Sequence, residues 1–158
     1  MTYKIIVDGY CILPEQIKNN PNIIVVKSGH EPESVKIRKR TMLDKALGRR
    51  RTVLPAPSPE RFKNALDKTG TDMVFVLTVA DKLSPAYANA RIAKGMFLEE
   101  NPGRKVRIVN TNTYGYGEGM AVKRLISLCS SGKKFGEISA YLNNYLSNLF
   151  PVFTSMTA

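Results

Sequence analysis

"DMVFVLTVADKLSPAYANA", residues 72–90, carries the signal on which the fold turns. Its first half is almost wholly apolar on consecutive positions from Met73 to Ala80. A strand wet on one face alternates apolar with polar residues. A near-unbroken apolar run instead fits a strand covered on both faces of a parallel sheet. The second half opens a helix. Ser84 is a natural N-cap, Pro85 suits the first helical position, and Ala86, Ala88 and Ala90 favour helix beyond it. Strand, short turn and helix together form the repeating unit of α/β domains.

The same alternation extends outward. "YKIIVD" (3–8) and "NIIVVKSG" (22–29) read as further buried strands, the second stopped by Gly29, and "KVRIVNT" (105–111) reads as a fourth strand. "SPERFKNALDKTG" (58–70) reads as a helix capped by Ser58, with Pro59 at its first position and Gly70 at its end. "PEQIKNN" (14–20) predicts a short helix with Pro14 in the first turn. "TMLDKALG" (41–48) predicts an amphipathic helix closed by Gly48. "GEGMAVKRLISLCSSG" (117–132) predicts a helix with Met120, Leu125, Ile126 and Cys129 as its apolar residues. "GEISAYLNNYLSNLF" (136–150) places Ile138, Leu142, Tyr145, Leu146 and Leu149 on one stripe. The expected architecture is a single α/β domain with a mostly parallel sheet flanked by helices.

Composition agrees. The 158 residues suffice for one domain with a sizeable core. At 43% hydrophobic and 23% charged, the chain falls among globular proteins and not disordered ones. No apolar run reaches the roughly 18 residues a membrane span needs. The N-terminus lacks the basic region and long apolar stretch of a signal peptide, so the expected location is the cytoplasm.

The net charge of +11 suits an acidic partner, nucleic acid or an anionic surface. Eight basic residues and one acid lie in "KIRKRTMLDKALGRRR", residues 36–51. That segment has no aromatic residue on which bases would stack, so nucleic acid is not favoured. It reads equally as a solvated helix with basic flanks. Cys11 and Cys129 are far apart and His30 is the only histidine, which leaves no zinc cluster and no cysteine–histidine nucleophile. No triad, carboxylate pair or phosphate loop appears. The expectation is a binding protein without cofactor, not an enzyme.

Ligands of parallel sheets sit outside the carboxyl ends of the strands. Here those ends supply Asp8, Asp81 with Ser84, and Asn110 with Thr111. Each has two readings. In the turn "ADKLSP", Asp81, Ser84 and the N–H groups of the helix start would bind a polar or anionic head group. Alternatively, Ser84 and Pro85 only start a helix. Asp8 either accepts a ligand hydroxyl or bonds to the backbone of its own loop. "TNTYGYGEG" (111–119) reads as a flexible loop. Its Tyr114 and Tyr116 either line a pocket or cover the sheet edge.

Four segments resemble, in order and spacing, the N-terminal domain of the DegV family, which includes the fatty-acid-binding subunits of bacterial fatty acid kinase. They are "IIVDGYCILPE" (5–15), "LPAPSPERF" (54–62), "VADKLSPAYANA" (79–90) and "VRIVNT" (106–111) with the glycine-rich loop that follows. The resemblance implies an acyl chain in a tunnel between two domains. Hydroxyl groups of the second and third segments would hold its carboxylate, and the protein would present that carboxylate to a separate kinase. Thr52 and Ser58 become candidate ligand residues on this ground.

The sequence departs from the family at several of these positions. Ala80 and Asp81 replace a double serine, and Pro85-Ala86 replaces a Gly-Thr. Leu54-Pro55 stands where the family has Thr-Ser, unless a two-residue shift brings Thr52 there. Gly9-Tyr10 and Asn110-Thr111 stand for Ser-Thr and Asp-Ser. An ionised Asp81 would repel a carboxylate. The chain stops about where the family crosses into its C-terminal half. The resemblance therefore implies a single N-terminal domain over residues 1–158, with the C-terminal lipid-binding domain absent or supplied by another chain or by self-association.

Overall fold

The computed structural model describes residues 2–29 and 54–149. Thr52, His30, the basic segment 36–51 and the expected helix at 41–48 lie outside the described residues. Four strands are described: β1 (Tyr3–Asp8), β2 (Ile23–Val26), β3 (Met73–Thr78) and β4 (Lys105–Asn110). Their order in the sheet is β2-β1-β3-β4, and every pairing is parallel. β1 meets β3 from Tyr3 opposite Met73 to Val7 opposite Leu77. Four helices are described: α1 (Pro59–Asp67), α2 (Ala86–Glu100), α3 (Tyr116–Ser130) and α4 (Phe135–Leu149).

β3 is buried at all six positions, as its apolar run requires. Its alternate residues feed two cores. Val74 and Val76 pack with Ile6, Phe62, Leu66, Ala90 and Phe97 beneath α1 and α2. Met73, Phe75 and Leu77 pack with Ile5, Val7, Leu125, Ile138 and Leu142 beneath α3 and α4. Phe75 and Phe135 meet with ring centroids 5.2 Å apart.

The helix starts follow local chemistry. The Ser58 hydroxyl accepts the Arg61 N–H at 3.2 Å, with Pro59 next in the helix. Gly70 adopts a left-handed φ of 55° after α1 ends. Ser84 Oγ accepts the Ala86 N–H at 3.2 Å. Pro85 thus precedes α2 as its cap residue instead of occupying its first turn.

Several expectations need correction. Pro14–Asn20 forms successive turns, not a helix. The Ile17 N–H donates to the Pro14 carbonyl and the Asn20 N–H to the Ile17 carbonyl, both at 3.0 Å. These three-residue steps meet Pro21, which has no N–H to continue them, before a helical turn is established. β2 is not buried on both faces: it is an outer strand of the described sheet, and Val25 is 46% exposed. In α3, Met120 is 50% exposed, and the inward stripe is Ala121, Val122, Leu125, Leu128 and Cys129. In α4, Ile138, Leu142 and Leu146 are buried, but Leu149 is 44% exposed.

This difference within one stripe is testable by urea denaturation. Leu142→Ala is expected to cost about 2–5 kcal/mol, because it opens a cavity in a closed core. Leu149→Ala should cost less than about 0.5 kcal/mol, because its side chain already meets water.

Candidate functional site: the crevice between β1 and β3

From β1 the chain steps to β2 on one side of the sheet, then returns to place β3 on the other side. The carboxyl ends of β1 and β3 therefore diverge into loops that leave in opposite directions. In parallel sheets this switch point is where a crevice opens for a ligand. Asp8 lies at the end of β1, Asp81 in the turn after β3, and Asn110 and Thr111 at the end of the adjacent β4, with Ser84 just before α2.

Asp8 is fully buried and spans the switch point. One carboxylate oxygen accepts the Tyr10 N–H at 3.0 Å and the other the Val79 N–H at 2.7 Å. The first bond is the local turn expected of an aspartate. The second joins the end of β1 to the residue just past β3. Thr111 is also fully buried, and its hydroxyl donates to the Thr78 carbonyl at 2.7 Å. Asn110 Oδ1 accepts the Asp81 N–H at 3.3 Å and the Asn112 N–H at 3.0 Å, with Asn112 in a left-handed turn at φ 55°.

The turn after β3 therefore uses its donors internally. Val79 donates to Asp8, Ala80 to the Thr113 carbonyl at 2.8 Å, Asp81 to Asn110, and Leu83 to the Ala80 carbonyl at 2.9 Å. These four N–H groups are engaged within the fold. The Asp81 side chain is exposed, while the neighbouring Ala80 is buried. Ser84 is buried and its hydroxyl accepts the N–H of Ala86, the first residue of α2. Ser58 lies at the start of α1, where its hydroxyl likewise serves a helix N–H.

Sequence reasoning missed Glu118. An acid in the first turn of a helix normally faces water and the helix dipole. Here the side chain is fully buried, and Asp8 is the polar side chain it meets. Burial first, and then the charge on Asp8, hold its pKa well above the usual glutamate value. The glycines on either side were the available signal. A Cβ on Gly117 would meet the Thr113 hydroxyl, and one on Gly119 would run into the Ile12 carbonyl oxygen. Both let α3 press against neighbouring loops, and Glu118 is carried inward between them.

Cys11, in the loop after β1, has its thiol pKa pushed up by burial and then by Glu118 and Asp8. Burial pushes the Cys129 thiol up to about 12. Neither thiol is activated as a nucleophile. Among the described residues, no group of three or more His, Cys, Asp or Glu side chains is placed to hold a metal ion. No described helix is long and apolar enough to cross a membrane. Tyr114 and Tyr116 are 45% and 73% exposed. Two open clefts are described elsewhere on the chain. One of about 400 Å³ is formed by Gly70–Asp72 and Gly103–Lys105, and one of about 380 Å³ by Pro14, Met120, Lys123, Arg124, Ser127 and Tyr145.

The close approach of α3 gives a mutational contrast in thermal or urea unfolding. Gly119→Ala should destabilise by roughly 1–3 kcal/mol, because backbone must move aside. Gly95→Ala in α2, where a new methyl meets open space, should stabilise by up to about 1 kcal/mol.

Comparison with known proteins gives a consistent result. A family model described as "Uncharacterised protein, DegV family" matches residues 2–157. A DegV domain-containing protein of Streptococcus gordonii is 28% identical over 156 residues, which covers 93% of this chain and 55% of the relative. The alignment thus spans about half the length of that relative, and a third of a Streptococcus pyogenes DegV domain-containing protein matched at 33% identity. Among solved structures, a DegV family protein from Thermus thermophilus, described as fatty-acid-binding, aligns with a TM-score of 0.65 at 25% identity. That alignment covers 92% of this chain and 54% of the other. The Streptococcus pneumoniae fatty acid kinase B3 protein, loaded with linoleic acid, aligns with a TM-score of 0.65 at 23% identity. It covers 93% and 55% of the two chains. The family match over nearly the whole chain, with the all-parallel α/β fold, places this chain in the DegV family.

Proposed function

We propose that this chain binds a fatty-acid-type lipid at the β1/β3 crevice, as one lobe of a DegV-type binding protein. The observation that carries the reading is the switch point, where Asp8, Asn110 and Thr111 gather in a fold otherwise closed by apolar packing. Support comes from family membership and from the fatty acids named for the related proteins of Thermus thermophilus and Streptococcus pneumoniae.

The reading keeps the protein as a carrier in the cytoplasm. Its bound carboxylate would be offered to a separate kinase, and the carrier itself would catalyse nothing. An acyl chain needs more apolar cover than the strand-end loops alone offer. A second lobe, from further polypeptide or from a second copy of this chain, would close over it. The carboxylate must also be held differently from the family pattern. Ala80 lacks a hydroxyl, Asp81 brings a negative charge, and the hydroxyl of Ser84 accepts the Ala86 N–H.

The test is titration of the purified chain with a fluorescent fatty acid. Saturable binding, displaced by unlabelled oleate, is expected. Asp81→Ser should tighten binding of the carboxylate about fivefold at low salt, the size of one charge repulsion of about 1 kcal/mol near a surface. The same change should leave the affinity of the matching methyl ester unaltered. No saturable binding by either protein, and no acyl species in a lipid extract by mass spectrometry, would sink the reading.

A further inference from the structure

The fixed surroundings of Glu118 are more informative than its burial alone. Its helix start cannot easily withdraw. The Ile12 N–H donates to the Gly115 carbonyl at 3.1 Å, and the Gly119 backbone packs against the Ile12 carbonyl. The ionisable groups that face Glu118 are Asp8, from β1, and Cys11, from the loop after it. Asp81 and Lys82 on the turn after β3, and Tyr114 on the loop after β4, are exposed. Among the described residues, no basic side chain pairs with Glu118. A carboxyl group in this setting remains neutral, because a second charge beside Asp8 in a dry site is costly.

Asp8 is the group that such a charge would disturb. Its two carboxylate oxygens hold the Tyr10 and Val79 N–H groups, and through them the two loops that leave the switch point. We propose that Asp8 and Glu118 form a proton-operated latch on the β1/β3 crevice. With Glu118 protonated, Asp8 holds the ends of β1 and β3 together. When the Glu118 proton passes to solvent, two adjacent carboxylates repel, Asp8 loses its grip on the Val79 N–H, and the loops lining the crevice loosen. The latch is a property of this chain's own residues. Its use for lipid release rests on the function proposed above.

The direction with pH follows from proton linkage. The folded chain holds the Glu118 proton more tightly than the unfolded chain, whose glutamate titrates near its ordinary value of 4.5. Above that value the unfolded state has released the proton while the folded state retains it. Stability therefore falls as pH rises through this window, up to the raised folded value. Below 4.5 both states are protonated and the contribution is constant.

The test compares the whole chain with Glu118→Gln, a neutral side chain of the same shape. From pH 5 to pH 8, the melting temperature of the wild type should fall relative to Glu118→Gln by about 4 °C or more. At pH 8, amide exchange at Val79 and Tyr10 should be at least about tenfold faster in the wild type than in the variant. At pH 5 the two should match. Parallel profiles in both measurements would overturn the latch. If Glu118→Gln does not fold, carbon-13 carboxyl NMR of the wild type decides. A Glu118 signal that titrates in the ordinary glutamate range overturns the proposal, and one that titrates well above it supports it. Fatty-acid affinity should fall over the same pH range in the wild type and remain flat in Glu118→Gln. The exchange and melting data judge the latch without lipid, so a chain that binds no lipid overturns only the functional reading.

Discussion

β3 has no face for water. It lies between β1 and β4, and every residue from Met73 to Ala80 is buried. Much of the architecture follows from that constraint. Both faces of the strand need apolar cover, so α1 and α2 occupy one side and α3 and α4 the other. The backbone beyond the strand cannot be left unpaired in a dry interior, because an unmade hydrogen bond there costs about 1–3 kcal/mol. Val79 is the first residue with no strand partner for its N–H, and the Asp8 carboxylate meets that need. The most polar atoms of the fold are thus placed by the demands of its most apolar strand.

The same demand shapes what the crevice can recognise. A turn whose N–H groups were open would favour an anion through partial positive charge. This turn instead donates at Val79, Ala80, Asp81 and Leu83 to its own surroundings. Asn110 and Thr111 are already engaged in holding loop and strand together, which makes them supports for a binding surface more than free ligand groups. The chain keeps the frame of the DegV family.

The fold was legible wherever burial wrote itself into consecutive residues. β1 and β3 are unmistakable in that sense, and Ser58 marks the start of its helix correctly. β2 was harder, because an apolar run of four does not distinguish a central strand from an outer one. The Pro14–Asn20 turns carry helix-like composition, and only hydrogen-bond geometry separates them from a helix. Met120 and Leu149 are apolar yet exposed, since apolar character does not oblige a residue to be inside. The switch point could not be read locally. It depends on β1 lying between β2 and β3, a fact of topology. Asp8 was visible as a strand-end acid, but its partner Val79 lies across the sheet. Glu118 was hidden by a rule that is usually sound, that acids in a first turn face solvent.

The central pairing of the sheet also has a consequence for how the chain is made. Tyr3 must find Met73, and no described strand fills the other side of β1 except β2. At about 5–20 residues per second, a ribosome releases β1 several seconds before β3 exists. During that interval Ile5, Ile6 and Val7 lack their β3 neighbours, although Ile17, β2 and α1 have already been made. Long-range parallel pairing of this kind folds slowly and leaves strand edges open to other chains. The first strand of this protein thus waits longest for its central partner.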